Sequence, residues 1–254
     1  MTEQLLLFIA SFIANMMSAF AGGGAGLVQF PVLIFMGLPF SIALATHKTA
    51  TVALGLGAAY RHLKSPENIN WPFAVYTMLC GVFGTILGAF IIVHIPDKPA
   101  ELALGLLTVG LGLYSIVKKR IGQTEEPKNR DTRGYAIGGI MLFLLGVFNG
   151  SLTSGSGLFV TMWLVLWFGL DYKRAVMYTM LLVGFFWNAT GAVSVNMLGA
   201  QTHWEWMPVL LAASFLGGYA GAHLGILKGS IWIKRGFEAV TIASGVYLIV
   251  RFFS

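Results

Sequence analysis

Charged side chains are scarce in this sequence. Asp, Glu, Lys and Arg make up 10% of its 254 residues, whereas a soluble domain carries roughly a quarter. Hydrophobic residues make up 57% and the mean hydropathy is +0.78. Apolar runs of about 20 residues, the length that spans a hydrocarbon layer of about 30 Å, follow one another along the chain. These features exclude a soluble globular protein and predict an all-α polytopic integral membrane protein.

Several chemical motifs are also missing. The single cysteine, Cys80, lies in an apolar run, which excludes a disulfide framework and a cysteine-based metal site. The sequence has no Gly-x-x-x-x-Gly-Lys-Ser/Thr phosphate loop, so we expect no ATP-driven activity, no cofactor and no metal. No signal-peptide cleavage pattern precedes the first apolar run, and we expect no signal peptide to be removed. The net charge of +6 comes from loops between spans, which indicates membrane orientation and not nucleic-acid binding.

Glycine, in contrast, is abundant and clusters at two positions. Residues 22–26 contain four glycines, and each costs about 1 kcal/mol in a helix relative to alanine. We therefore expect a first helix at 5–21 to end here and a half-helix at 27–36 to follow. The same feature recurs about 132 residues later, at 153–157, before a second half-helix at 158–168. Broken helices at matching positions of two halves indicate the substrate site of a transporter.

The second half of the chain repeats the first. Gly37 matches Gly169 at an offset of 132 residues, and after one inserted residue Thr46 matches Thr179 at an offset of 133. Trp71, Gly84, Gly88, Gly112 and Tyr114 have identical partners at the same offset. We therefore predict a first transmembrane repeat at 1–117, a charged cytoplasmic linker at 118–133 and a second transmembrane repeat at 134–254. Each repeat is expected to contain one glycine-broken segment and three full helices.

The lysines and arginines favour inverted repeats. If each broken segment is a re-entrant hairpin, an odd number of crossings inverts the second half. One face then carries thirteen basic residues: Arg61, Lys64, Lys118, Lys119, Arg120, Lys128, Arg130, Arg133, Lys173, Arg174, Lys228, Lys234 and Arg235. The other face carries three: Lys48, Lys98 and Arg251. If each broken segment crosses once instead, the split is 9 to 7, which agrees less well with the positive-inside rule.

The candidate substrate-binding residues lie at the breaks and on the helices beside them. They are Gly22, Gly23, Gly24, Gly26, Thr46, His47, Lys48, Ser154, Gly155, Ser156, Gly157, Thr179 and Asn188. Half-helix N-termini leave backbone N–H groups unpaired and carry partial positive charge, so two of them would form an anion site. No catalytic residue is predicted. Four further glycines, at 84, 88, 217 and 221, are expected to pack helices closely.

Each polar candidate also has a structural interpretation. An ionisable residue within a membrane helix is a functional hypothesis by default, but Lys48 would also snorkel to the headgroups from a helix end. His47 would be either a binding or proton-carrying residue or an interfacial one. Asn188 would bond either a substrate or a neighbouring helix. The hydroxyls of Ser154, Ser156 and Thr179 would donate to an oxyanion or cap exposed backbone.

These motifs resemble those of the TauE/SafE sulfite-exporter family over essentially the whole chain. The first motif consists of Gly22-Gly23-Gly24-Ala25-Gly26 with Pro31, Gly37-Leu38-Pro39 and Ala43-Leu44-Ala45-Thr46-His47-Lys48. The second consists of Gly155-Ser156-Gly157, Phe168-Gly169-Leu170, Ala175 and Thr179, with Ser154, Ser156 and Trp163 departing from the family pattern. The resemblance implies a multi-pass secondary transporter of the cytoplasmic membrane, with sulfite, sulfonates or other small organic anions as substrates.

The sequence therefore predicts an anion transporter, with export expected, that works by alternating access around the two glycine breaks. Its expected partners are the small anion, the lipid bilayer and, in a homo-oligomer, further copies of the chain. A coupling proton or Na⁺ is left open. Two alternatives remain: a passive anion channel, and an intramembrane hydrolase in which Ser156 would be the nucleophile and His203 or His223 the base.

Overall fold

The computed structural model describes residues 2–65, 69–91, 97–118, 121–152 and 155–253, and the regular secondary structure within these ranges is helical. The first half comprises α1 (Thr2–Ala21), α2 (Ala25–Phe35), α3 (Phe40–Leu63), α4 (Trp71–Ile91) and α5 (Asp97–Val117). The second half comprises α6 (Thr132–Leu152), α7 (Ser156–Phe168), α8 (Tyr172–Thr179), a π-helical stretch (Met180–Trp187), α9 (Asn188–Met197), a 3₁₀ turn (Trp204–Trp206), α10 (Met207–Lys228) and α11 (Ser230–Phe253).

Five helical segments in the described ranges are long and apolar enough to cross a membrane. They are Glu3–Ala21, Trp71–Ile91, Thr132–Ser151, Tyr172–Met197 and Trp204–Lys228. The prediction of a polytopic helical membrane protein is therefore confirmed. The half-helices α2 and α7 contain 11 and 13 residues, which at 1.5 Å per residue is too short to cross the hydrocarbon layer alone.

Both predicted breaks are present, and positive φ angles form them. Gly22, Gly23 and Gly24 have φ values of +89°, +147° and +100°, and Gly155 has a φ of +82°. Residues other than glycine rarely adopt these φ angles, because their Cβ atom clashes with the backbone. The chain therefore leaves α1 and re-enters helix at Ala25, and α7 begins directly after Gly155.

The two halves interlock. Helix α1 packs against α10, which repeats α4, while α6, which repeats α1, packs against α4. A Cβ atom at Gly84 or Gly88 of α4 would lie 2.1 or 2.0 Å from carbonyl oxygens of α6. A Cβ atom at Gly217 or Gly221 of α10 would lie 2.6 or 2.1 Å from carbonyl oxygens of α1. The expected role of these glycines in close packing agrees with these contacts, and the same exchange occurs twice.

Helix α7 lies in the largest buried cluster, and residues 121–131, which we call the strap, cover its end. The N–H groups of Glu126 and Lys128 donate to the carbonyls of Gly169 and Phe168 at 2.8 and 3.2 Å. Asn129 Nδ2 donates to Trp167 O at 2.7 Å. These bonds satisfy carbonyl groups that the end of a helix leaves without partners. Part of the predicted linker is therefore folded against α7.

Candidate functional site

The two glycine breaks touch each other at the centre of the molecule. A Cβ atom at Gly23 would lie 2.4 Å from Leu158 N and 2.6 Å from Gly157 C, and one at Gly157 would lie 3.0 Å from Gly23 Cα. Backbone packs directly on backbone here, which only glycine at both positions allows. The structure thus brings together two breaks that are more than 130 residues apart in sequence.

A hydroxyl pair supports the first break from behind. Thr161 Oγ1, on α7, donates to the carbonyl oxygen of Gly22 at 2.8 Å and lies 2.9 Å from Thr179 Oγ1. Both threonines are fully buried. Thr179, a predicted site residue, therefore reaches the break through Thr161, while Thr46 accepts a hydrogen bond from the backbone N–H of His203 at 2.9 Å.

A small cavity, which we call the central cavity, lies beside the contact between the breaks. The volume within which the centre of a water-sized sphere can move is about 30 Å³. This volume is larger than the roughly 10–15 Å³ that one water molecule requires on the same measure. Its walls come from both halves of the chain: Ser18, Gly23, Gly24, Ala25, Gly26, His47, Thr51, Leu54, Asn149, Ser156, Gly157, Met180, Val183, Gly184 and Asn188. Seven of these were predicted: Gly23, Gly24, Gly26, His47, Ser156, Gly157 and Asn188.

The first turns of both half-helices form part of this wall. Residues Ala25 and Gly26 open α2, Ser156 and Gly157 open α7, and all four line the central cavity. The N-cap residue is a glycine in each case, so no side chain caps either helix. Because N-terminal N–H groups carry partial positive charge, this arrangement suits a negatively charged or strongly accepting ligand.

Three polar side chains meet on the α6 side of the central cavity. Asn149 Nδ2 donates to Ser156 Oγ at 2.8 Å and to Asn188 Oδ1 at 3.3 Å. Asn149 is 1% exposed, and its Oδ1 atom has no hydrogen-bond partner among the described residues. Asn188 thus lines the cavity and bonds a neighbouring helix, as one of its two interpretations expected, while a bond to a substrate stays a prediction.

His47 lines the opposite side through α3. Its Nδ1 atom donates to Gln29 Oε1 of α2 at 2.8 Å. Gln29 is buried, and its Nε2 atom has no hydrogen-bond partner among the described residues. The pair ties the half-helix α2 to the full helix α3, so a movement of α2 would change the position of the imidazole.

Lys48 lies fully inside the protein and does not line the central cavity. Its side chain has 0% exposure, and Nζ donates to the carbonyl oxygen of Asn149 at 2.8 Å. The alternative that Lys48 snorkels to the membrane surface is therefore wrong. Asn149 belongs to the last turn of α6, where carbonyls lack helical partners and the helix dipole is negative, so a cation is stabilised there.

The remaining predicted residues fall around the central cavity. Gly22 bonds Thr161, Gly155 is the N-cap of α7, and Ser154 lies outside the described residues. Sequence reasoning missed Ser18 and Asn149 in the wall, and Gln29 and Thr161 behind it. Ser18 and Asn149 each stand six residues before the N-cap glycine of their half-helix, so extending the repeat into the first helices would have found them.

The fold and the site define a class of protein: a multi-pass helical membrane protein of the cell membrane, with two broken helices meeting at a polar cavity. The family described as sulfite exporter TauE/SafE matches residues 7–248. The chain therefore belongs to the TauE/SafE sulfite exporter family, and the recognition from its motifs is confirmed.

Curated relatives carry names of the same kind. A probable membrane transporter protein of Haemophilus influenzae is 29% identical over 233 residues, covering 90% of this chain and 88% of that protein. The probable membrane transporter protein ORF9 of Sinorhizobium sp. is 25% identical, covering 96% and 91%. YdhB of Bacillus subtilis, with the same descriptive name, is 23% identical, covering 96% and 100%. No solved structure matches the chain at a significant level. The chain is thus a membrane transporter of TauE/SafE type.

Proposed function

We propose that this protein is a secondary transporter that carries a small anion, such as sulfite, a sulfonate or a related organic anion, by alternating access. The observation that carries the proposal is the meeting of both half-helix N-termini at one buried polar cavity. The anion would accept hydrogen bonds from backbone N–H groups in the first turns of α2 and α7. The side-chain amide of Asn188, whose Nδ2 atom also donates to Gly184 O at 3.4 Å, would add a donor to this shell, and Asn149 would hold that amide in place through its bond to Asn188 Oδ1.

The repeated architecture supports alternating access. A carrier must open the same site to each side of the membrane in turn, and two similar halves offer two related arrangements around that site. We call the long helix that precedes each glycine break, α1 or α6, the long arm of that broken segment. Because α1 packs on α10 and α6 packs on α4, the long arm of each half is held by a helix of the other half. The central cavity lies between those arms and receives residues from both.

Charge alone would drive movement in the export direction. With the cytoplasm negative, one negative charge that leaves the cell gains about 2.3 kcal/mol per 100 mV. Export of a monovalent anion thus needs no coupling ion, whereas uptake against this potential needs a cotransported proton or Na⁺. We therefore propose export from the cytoplasm without an obligatory cation.

Direct anion binding to the purified protein tests the proposal. Gly157→Ala places a Cβ atom 3.0 Å from Gly23 Cα and 3.1 Å from Gly22 O, which pushes the two breaks apart. If one charged hydrogen bond is lost, affinity for sulfite or methanesulfonate should fall about ten- to a hundredfold. Isothermal titration calorimetry measures this change in Kd.

Gly112→Ala is the matched control. Its Cβ atom would lie 2.5 Å from Thr241 Oγ1 and 2.9 Å from Ile242 Cδ1, so it crowds the contact of α5 with α11 away from the central cavity. We expect it to lower the thermal unfolding temperature while leaving the anion Kd within about twofold of the wild type. Normal anion affinity in folded Gly157→Ala would contradict the proposed site.

The two alternative functions make different predictions. A passive channel gives flux without countertransport, so trans-stimulated exchange of labelled anion in proteoliposomes separates a carrier from a channel. For a hydrolase, neither proposed base is in the part of the central cavity wall that the structure describes. His223 Nδ1 accepts from Arg61 Nε at 2.9 Å, and the His203 ring packs on Trp206. These contacts favour the transporter.

A further inference from the structure

A second, larger space adjoins the central cavity. It offers about 330 Å³ between α1, α2 and α11, roughly ten times the central cavity on the same measure. We call this space the apolar groove. Most of its wall is hydrocarbon: Met17 from α1, Leu27, Val28 and Pro31 from α2, and Val240 and Ala243 from α11.

The apolar groove and the central cavity share two wall residues. Ser18 and Gly24 line both spaces, so the partition between them at this point is one small side chain and one glycine. A Cβ atom at Gly24 would lie 3.0 Å from Val240 Cγ1, which belongs to the apolar groove. The groove therefore begins at the N-terminus of α2, where the proposed anion would bind.

This shared wall distinguishes the apolar groove from an ordinary lipid-facing surface. A still larger space of about 700 Å³ lies between α4 and α9, lined by Phe90, Val193 and Met197 among others. Among the residues that the structure describes, that space shares no wall residue with the central cavity. A lipid chain covering the bundle requires only an exposed apolar surface, which both spaces offer. The apolar groove between α1, α2 and α11 differs from that space because it shares wall residues with the central cavity.

We infer that the transported substrate is an amphiphilic organic anion, with a compact charged headgroup in the central cavity and an apolar chain in the apolar groove. The inference rests on the proposed function and specifies its substrate class. The central cavity is too small for more than a compact headgroup, so additional carbon atoms must leave it, and the thin wall at Ser18 and Gly24 has the apolar groove on its other side. Burying those carbons supplies affinity that an inorganic anion cannot gain.

The experiment measures Kd for a series of anions: sulfite, methanesulfonate, butanesulfonate and hexanesulfonate, each below its micelle-forming concentration. One buried CH₂ group contributes about 0.8 kcal/mol, or about fourfold in affinity. Because the apolar groove is partly open, we expect about two- to fourfold tighter binding per added carbon in the wild type.

Two variants fill the apolar groove from different helices. Ala243→Phe and Val28→Trp substitute exposed groove residues, so both are expected to fold. They should abolish the dependence on chain length and leave methanesulfonate affinity within about twofold of the wild type. Ser194→Phe, in the larger space between α4 and α9, is the control and should retain the full dependence.

The outcomes separate the inference from the proposed function. Binding of sulfite and methanesulfonate without any dependence on chain length would overturn the inference and leave the transporter proposal intact. A dependence that persists in both filled variants would also overturn it, because the chains would then bind elsewhere. If none of the four anions binds, the proposed function fails and the inference fails with it.

Discussion

Lys48 places an ammonium group inside a bundle that otherwise consists largely of apolar side chains. A buried charge is tolerated only where it is paired or hydrogen-bonded, and Lys48 meets this need by donating to Asn149 O at 2.8 Å. The same Asn149 presents its side chain to the central cavity. We therefore predict that Lys48 acts on the candidate site through α6, as a positioning residue.

Replacing Lys48 by methionine tests this role. Lys48→Met removes a charged hydrogen bond and leaves a carbonyl of the last α6 turn unpaired, so the free energy of unfolding should fall by about 1.5–3 kcal/mol. Affinity for methanesulfonate should also fall, because Asn149 loses its fixed position. Thermal unfolding and calorimetric titration of the same preparation measure both effects.

Two further variants identify the cause. Lys48→Arg should not restore binding, because there is little room around the head of this side chain. Nζ lies so close to the backbone of Gly191 that a Cβ atom there would be only 3.2 Å away, and the planar guanidinium is wider than the ammonium. Lys64→Met, at the exposed end of α3, should change stability by no more than about 0.5 kcal/mol. A Lys48→Met protein with normal stability and affinity would show that the bond to Asn149 has no such role.

Prediction from single residues succeeded where a feature depends on backbone conformation alone. Clustered glycine located both breaks, because glycine tolerates the positive φ angles at Gly22–Gly24 and Gly155. It failed for side chains whose role depends on a distant partner. Nothing near Gln29 in the sequence indicates that it faces His47, and nothing near Thr161 indicates a bond to Gly22, 139 residues away.

At the scale of helices, the half-helices and most long helices could be read from apolar runs, but two elements could not. The π-helical stretch Met180–Trp187 contributes Met180, Val183 and Gly184 to the central cavity, and its local sequence is apolar like any membrane helix. Such stretches often mark functional sites. The strap was predicted only as a charged linker, because its folded contacts are hydrogen bonds to α7 carbonyls, which leave no periodic pattern.

The strap fixes the end of α7 that lies away from the central cavity. Arg130 donates to Phe168 O at 3.3 Å, and its guanidinium lies 5.0 Å from the Phe73 ring centroid and 5.8 Å from that of Phe168. Arg130→Ala removes the bond and both cation–π contacts and should lower the free energy of unfolding by about 1–3 kcal/mol. Denaturation in detergent, followed by tryptophan fluorescence, measures this.

The shape of the guanidinium matters for this contact. Arg130→Lys should recover little of the lost stability, because an ammonium does not stack on two rings while bonding a carbonyl. Arg133→Ala removes an exposed charge just beyond the strap and should leave stability within about 0.5 kcal/mol of the wild type. Equal losses from Arg130→Ala and Arg133→Ala would mean that the strap contributes through net charge alone.

At the scale of the whole molecule, the duplication explains the interlocked packing, while the orientation of the halves stays a prediction. Both long arms are near spanning length: α1 has 20 residues and α6 has 21. The hairpin arrangement assigned thirteen basic residues to one face and three to the other. Lys48 from the smaller group and Lys234 from the larger group are both buried in the bundle. Twelve basic residues then remain on one face against Lys98 and Arg251 on the other, so the asymmetry that the positive-inside rule requires is kept.

Cysteine accessibility in intact cells distinguishes the two topologies. In a Cys80→Ser background, one cysteine replaces Gln123 in the strap and another, in a separate variant, replaces Gln201 between α9 and α10; both positions are exposed. If the broken segments are hairpins, only the long helix Tyr172–Met197 crosses between these positions, so they lie on opposite faces. If each broken segment crosses once, α6–α7 adds a second crossing and both positions lie on the same face.

Inverted repeats therefore predict that a membrane-impermeant maleimide labels the Gln201→Cys variant in intact cells and labels the Gln123→Cys variant only after permeabilisation. The positive-inside rule fixes this direction, since the strap and its flanks carry basic residues and the region between α9 and α10 carries none. Labelling of both variants from one side only would contradict the inverted arrangement, because two crossings would then separate them. The central cavity would in that case lie between two parallel repeats, and the two half-helix N-termini would enter it from the same side of the membrane.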